Sequence, residues 1–285
     1  PSYNRARYLL RNMRYWSGSE VTVHVLDGSQ QPMGAEQLSS LARNIHYHHL
    51  PIPVAERFGR AGDFVETEYA VMLADDELFV PRGLERCIET LESEKLVACV
   101  GRCLFFGVRD GKVFAEPWDH PYTRWDRYSL DAEDPARRAV RHMDPYLCST
   151  IYGVMRTDAW KSCTSAAAIK TSAHDSLEIG YEIVSAYLGK SRVIDSLMWL
   201  RSAENPSLDW LDPADRLSCG MWYADPTYAN EAKSFVRQVR DILRPHCNVD
   251  ASKLEEDIRA AMDAFVRCED RARVPLRRFA RRVNR

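Results

Sequence analysis

Asp75, Asp76 and Glu77 are consecutive carboxylates that close an apolar run of strand length, residues 69–73. Carboxylates in such a place suit a hard divalent cation, which takes oxygen ligands and often shares them with substrate phosphates. The same acids would also favour the dipole of a following helix, so position alone leaves a binding site and a helix cap both open. Asp175, in Thr171-Ser-Ala-His-Asp-Ser-Leu-Glu178, is a second candidate: a proton acceptor by chemistry, a helix cap by position. Trp118 and Trp125 stand in the proline-broken segment 116–128, Glu-Pro-Trp-Asp-His-Pro-Tyr-Thr-Arg-Trp-Asp-Arg-Tyr. Indole faces beside polar groups offer a surface on which a pyranose packs its C–H face, while aromatics pinning a loop to the body would give the same composition. His46 and His48 alternate onto one face of the strand-like segment 45–50, but no carboxylate or thiol stands beside them at ligand spacing. A solvated edge strand accounts for them.

These groups need elements to hold them. Residues 69–73 read as a strand covered on both faces of an α/β sheet. Pro81 then fits the first position of a helix whose Leu84, Cys87, Ile88 and Leu91 share one face. Upstream, Asn4 is expected to cap a helix striped by Tyr8, Leu9, Met13 and Trp16, and residues 21–26 read as a strand ending in Asp27-Gly28-Ser29. Between them and the acids lie a short helix (35–43), a strand (45–50) and a helix (54–65). Beyond the helix at Pro81 come a strand (96–106), a hairpin turn at Arg109-Asp110-Gly111 and its return strand (112–115). A basic helix (135–143), a strand (148–155) and a helix (159–168) capped at Thr157-Asp158 follow. The helix opened by Asp175 runs to Lys190, with Gly189 as its stop, and a last strand covers 192–200. A proline-rich stretch (205–226) leads to two amphipathic helices, striped by Phe235, Val236 and Val239 and by Leu254, Ile258 and Met262.

Pro1-Ser2-Tyr3-Asn4-Arg5, a helix, a strand ending in Asp27-Gly28-Ser29 and a strand ending in the acids at 75–77 follow one another at βαβ spacing. In that order they resemble the nucleotide-sugar half of family 2-type bacterial glycosyltransferases with the GT-A fold, over residues 1–190. The resemblance implies an α/β chain with a mixed, mostly parallel Rossmann-like sheet flanked by helices. Residues 1–204 would be the glycosyltransferase domain, with a nucleotide-sugar half (1–106) and an acceptor half (107–204). Residues 205–285 would be a C-terminal linker and helices with a basic tail. It implies that Pro1, Tyr3, Asp27 and Asp75 meet the nucleotide sugar, with Asp75 at the ribose. It assigns Mg²⁺ or Mn²⁺ to Asp76, with Glu77 as rival ligand, because Ala74-Asp75-Asp76-Glu77 departs from the commoner D-x-D spelling by one position. Asp175 would be the base that takes the acceptor proton in an inverting transfer, and Trp118 and Trp125 would meet the acceptor. The implied partners are a UDP- or GDP-type sugar donor and a glycan or lipid-linked acceptor, as in polysaccharide synthesis. The family also sets a buried strand immediately before Pro1, so further chain is expected upstream.

The composition fits an ordinary soluble globular protein: 285 residues, 45% hydrophobic and 28% charged, long enough to bury a full core. A net charge of −2 gives no basis for nucleic acid as a partner. The eight cysteines are scattered without a CxxC pair, which favours buried reduced thiols and a cytoplasmic setting. No apolar run approaches the roughly 20 residues that cross a bilayer. Residues 271–285 nonetheless carry seven arginines and no acid. With Leu276, Phe279, Ala280 and Val283 at helical spacing, they could rest on the inner face of an anionic membrane. A sugar-nucleotide pyrophosphorylase would also use strand-end acids, but Ser-Tyr-Asn occupies the place of its glycine-rich loop. An inactive carbohydrate-binding scaffold of the same fold is the non-enzyme alternative.

Overall fold

The computed structural model describes residues 1–115, 128–147, 150–204 and 217–283, with side chains described to Arg271. Trp118 and Trp125, the start of the strand expected at 148, and most of the proline-rich linker lie outside the described residues. The chain opens with α1 (Ala6–Trp16), β1 (Val23–Asp27), α2 (Ala35–Ser39), β2 (Ile45–His49) and α3 (Val54–Ala61). The acids stand between β3 (Tyr69–Ala70) and β4 (Leu78–Phe79), ahead of α4 (Pro81–Glu94). Then come β5 (Ala98–Arg109), β6 (Lys112–Ala115), β7 (Ser129–Leu130), α5 (Pro135–Met143), β8 (Val154–Arg156), α6 (Thr157–Ala167), α7 (Ser176–Leu188) and β9 (Ser191–Ser202). The C-terminal helices are α8 (Cys219–Ala224), α9 (Ala229–Leu243) and α10 (Ala251–Val283).

β1 and β2 pair in parallel, from Val23↔Ile45 to Asp27↔His49. The larger sheet runs β3-β8-β5-β9-β4, with β6 added to β5 and β7 to β9. Its long central pair, β5 and β9, is parallel, while the other described ladders are antiparallel. The architecture is mixed α/β as expected, but among the described strands parallel pairing is confined to these two ladders, with one further parallel bridge at Ser2↔Asp27. The short strands β4, β7 and β8 are separated from their antiparallel partners by helices, and only β5 and β6 form a hairpin, through the turn at Asp110-Gly111. Only the first two residues of the apolar run before the acids join a ladder, as β3. Between that run and β1 lies a mostly apolar cavity of about 540 Å³, lined in part by Val23, Val25, Val71, Leu73 and Leu84.

Local sequence explains most boundaries. Pro81 occupies the first turn of α4, where its missing N–H costs nothing. Gly83 lets α4 approach β9, because a Cβ there would stand 2.4 Å from the Leu197 carbonyl oxygen. Asp134 caps α5 by accepting from the Arg137 N–H at 2.9 Å. α7 is buried nearly all round, with Ile179, Tyr181, Ile183 and Val184 at 0–1% exposure, as expected of a helix covered by α5, α6 and α9. Some expectations need correction. Asn4 does not cap α1: it adopts φ 54°, and its N–H donates to Ser29 Oγ at 2.8 Å, leaving Arg5 at the cap position. α2 and α3 end earlier than 43 and 65, and the strand expected over 148–155 is a 3-10 turn, Thr150–Tyr152, followed by β8. Among the described residues, no helix is long and apolar enough to cross a membrane.

Candidate functional site

The turn that carries the acids is fastened by α1. Asn12, on the buried face beside Leu9 and Met13, donates from Nδ2 to the carbonyl oxygens of Glu77 at 2.8 Å and Ala74 at 3.3 Å. Arg11 donates to the Asp76 carbonyl at 2.8 Å, and Tyr15 Oη to that of Phe79 at 2.9 Å. The three carboxylates are thereby held inward, each 5–7% exposed. Ser2 Oγ donates to Asp75 Oδ2 at 2.7 Å, and the Arg5 guanidinium spans the pair, 2.9 Å from Asp75 Oδ1 and 2.8 Å from Asp76 Oδ2. Burial lifts the Asp75 carboxyl above its ordinary value, opposed by the Ser2 hydrogen bond and by Arg5. Glu77 turns another way: its Oε2 accepts from Trp199 Nε1 at 2.7 Å, and Arg201 Nε lies 3.6 Å from Oε1. Burial pushes Glu77 up to about 7, against the pull of Arg201.

A second acid centre lies beside this one. Ser2 bridges to the end of β1, its N–H donating to the Leu26 carbonyl and its carbonyl accepting from Gly28 N–H, both at 2.9 Å. That run brings Asp27 into the neighbourhood of Asp75. Asp27 Oδ1 accepts from the Ser29 N–H at 2.9 Å and from Ser29 Oγ at 2.6 Å, and Oδ2 accepts from Tyr47 Oη at 2.6 Å. Burial works against its ionised form, yet these bonds hold the Asp27 carboxyl below its ordinary value. Tyr47 is correspondingly pushed up to about 12, by burial and by its bond to Asp27. Arg57, buried on α3, lies over Gly28 so closely that a Cβ there would meet Nη1 at 1.6 Å. A side chain at 28 would therefore displace the Arg57 guanidinium. Pro1 lines the apolar cavity and Tyr3 is half exposed. The structure thus assembles Pro1, Tyr3, Asp27, Asp75 and Asp76 at one end of β1 and the acid turn, with Glu77 set behind them.

Asp175 has different supports. It occupies the cap position of α7, where its backbone carbonyl accepts from the Glu178 and Ile179 N–H groups at 3.1 and 3.2 Å, but its side chain makes no cap bond; Oδ1 accepts instead from the Cys219 N–H at 2.7 Å, at the start of α8. The simple cap reading is overturned for α7. Glu178, one turn on, accepts from Tyr146 Oη at 2.6 Å. Glu182, another turn on and fully buried, accepts from His142 Nε2 at 2.6 Å and from the Thr150 and Ile151 N–H groups at 3.0 and 2.9 Å. The Thr150–Tyr152 turn carries Tyr152, which stacks on Trp199 at 4.3 Å between ring centroids. A continuous set of contacts therefore runs from Glu77 through Trp199 and Tyr152 to the face of α7 that carries Glu182.

No protein-family model matches the chain, and no curated protein matches it in sequence. In structure it is similar to S. aureus TarS 1–349, with a TM-score of 0.52 at 13% identity over 93% of this chain and 69% of that one. Against TarS 1–349 in complex with UDP-GlcNAc the TM-score is 0.56 at 12% identity, over 93% of this chain and 70% of that one. Against the complex with UDP it is 0.50 at 13% identity. TarS is a GT-A-type glycosyltransferase. The chain has a GT-A-like fold.

Within that fold the acids can be tested as a cation site. Breaking a buried ion pair on one side costs about 3–5 kcal/mol, so two neighbouring buried carboxylates call for a cation, and Arg5 is standing there. Asp75 Oδ1 faces Arg5 without hydrogen-bond alignment, which leaves that oxygen suited to ligation. No group of three or more potential ligands converges among the described residues. Mg²⁺ suits such a place, since it is commonly held by one or two carboxylates while water and phosphate complete its shell. Sequence reasoning quoted Ser2 and Arg5 only as letters of the opening motif, without a role, and missed Arg11, Asn12 and Arg57 as site residues. Of these three, Asn12 left a signal, as a polar residue inside the apolar stripe of α1.

Proposed function

We propose that the chain transfers a sugar from a nucleoside diphosphate donor to an acceptor hydroxyl, with a divalent cation and with inversion at the anomeric carbon. The observation that carries this reading is the pair Asp75 and Asp76, buried at the end of an extended run and bridged by one cationic group, next to the Asp27 centre in a GT-A-like fold. The solved TarS complexes with UDP-GlcNAc and UDP support a nucleotide-sugar donor of the uridine type. In this reading Asp27, Tyr3 and Arg57 bind the nucleoside, Asp75 meets the ribose, and Asp76 holds Mg²⁺ or Mn²⁺. A bound cation supplies charge neutralisation on the departing diphosphate. Asp175, at the acceptor side, accepts the proton of the attacking hydroxyl. Trp118 and Trp125 offer stacking surfaces to a glycan or lipid-linked acceptor.

A thermal-shift panel of nucleoside diphosphates, each with and without Mn²⁺, tests the reading. A ligand at a hundred times its Kd stabilises by about 2.7 kcal/mol, a readily measured shift. Stabilisation by UDP that requires Mn²⁺ is the expected result. Absence of any nucleotide response would leave the fold without this function. Release of pyrophosphate instead of nucleoside diphosphate in a turnover assay would make the enzyme a nucleotidyl transferase.

A further inference from the structure

Arg5 is placed where the proposed cation belongs, and its geometry is uneven. Nη2 makes a hydrogen bond to Asp76 Oδ2 at 2.8 Å. Nη1 stands 2.9 Å from Asp75 Oδ1, yet that oxygen receives no aligned hydrogen bond. The guanidinium therefore neutralises the pair without using the full accepting capacity of Asp75. The acids are nearly closed to solvent, with side chains 3% and 9% exposed, while the Arg5 side chain is 35% exposed. Arg5 approaches from the solvent side and can leave by it. It sits at the cap position of α1, where three guanidinium groups gather round one ring: those of Arg5, Arg7 and Arg11 lie 5.4, 4.6 and 5.3 Å from the centre of Tyr8.

We propose that Arg5 is a resident cation that closes the carboxylate pair in the metal-free protein, is displaced when a divalent ion binds, and then clasps the diphosphate. This rests on the metal-dependent reading above. A divalent ion on Asp76 and a guanidinium on the same oxygen repel one another, and neither can share the other's place. The displaced fork fits phosphate as well as it fits carboxylate, because both present paired oxygens in one plane to its parallel N–H groups. The N-terminus of α1 beside it, which has no side-chain cap, adds the partial positive charge of the helix dipole, which favours an anion. One side chain thereby couples the two ligands: metal binding sets free the group that holds the nucleotide, and the nucleotide removes the competitor of the metal.

The test compares the wild type with Arg5→Gln and Arg5→Lys. Mn²⁺ affinity without nucleotide is read from the electron paramagnetic resonance signal of the free ion. If Arg5 closes the site in about nine of ten molecules, the apparent affinity is reduced about tenfold, so Arg5→Gln binds Mn²⁺ about tenfold more tightly. At saturating Mn²⁺, calorimetry with UDP should show Arg5→Gln weakened by a similar factor. Arg5→Lys falls between on both measures, because a single ammonium cannot bridge two carboxylates as the fork does. The melting temperature of Arg5→Gln should be lowered without metal and restored by Mn²⁺, which also shows that the variant folds. Equal Mn²⁺ affinity in wild type and Arg5→Gln, or undiminished UDP affinity in the variant, overturns the role of Arg5 and leaves the metal reading intact. Failure of both proteins to bind Mn²⁺ overturns the metal reading and the proposal together.

Discussion

At the scale of single residues, the three acids divide their labour by environment. Asp76 faces the Arg5 guanidinium, whereas Glu77 is turned inward onto Trp199 and Arg201. Asp76 is thus the better ligand candidate. Asp76→Ala is expected to abolish turnover and Mn²⁺-dependent nucleotide binding while the fold survives; full activity in that variant would sink the assignment. Glu77 carries a separate prediction about pH. Its carboxyl titrates near 4.5 when unfolded and is pushed up to about 7 in the fold, chiefly by burial. The folded state therefore holds a proton that the unfolded state has lost between those values, so stability falls as pH rises through that window. Below it both states are protonated and no penalty applies. Above it the penalty is complete, on the order of 3 kcal/mol at 1.36 kcal/mol per unit. Urea unfolding of the metal-free protein at pH 5 and pH 8 should show that loss, and Glu77→Gln should remove much of it. An unchanged slope in the variant would mean that another group titrates there.

At the scale of elements, α7 is the member whose role is easiest to misread. From the sequence, Asp175 looks like its cap; in the structure the carboxylate reaches over to the first N–H of α8 and remains about one quarter exposed. Asp175→Asn keeps a side-chain oxygen that can accept from Cys219 and removes the basicity. We expect turnover to fall at least about a hundredfold with UDP affinity nearly unchanged. Equal loss of UDP binding would make Asp175 part of the nucleotide pocket, and survival of activity would clear it of the base role. The elements themselves were legible where a local pattern fixed them. Pro81 starts α4, Gly189 ends α7, and the Arg109–Gly111 turn joins β5 to β6, each at its expected place. The supports of the acids were not legible. Ser2 and Asp75 are 73 positions apart, and Asn12 and Glu77 65 apart, so nothing in either neighbourhood announces the bond. Asn4 misled because a capping residue type counts for little once its backbone takes φ 54° to reach Ser29.

At the scale of the whole molecule, the GT-A-like body was readable from three ordered motifs. The balance of its sheet was not, because pairing direction depends on how short strands return, and no residue pattern encodes that. The C-terminus is where body and tail meet. α10 runs unbroken from Ala251 to Val283, straight through Pro275, and packs on α5, α8 and α9. Its Arg271, although more than half exposed, is paired with Asp144, so the first of the seven terminal arginines also touches the body. Beyond it, Leu276, Phe279, Ala280 and Val283 recur at i, i+3, i+4 and i+7 among six further arginines, the spacing of a helix that lies on an anionic surface. Each basic group near such a surface adds about 1 kcal/mol, so six would suffice for reversible attachment at low salt. That attachment would bring the acceptor side of the enzyme to a lipid-linked substrate. The expected outcome is co-sedimentation with anionic but not neutral vesicles, weakened by high salt and lost on removing residues 272–285. That deletion leaves Arg271 and its Asp144 partner in place. Binding that persists without the tail, or that ignores lipid charge, would rule the membrane contact out.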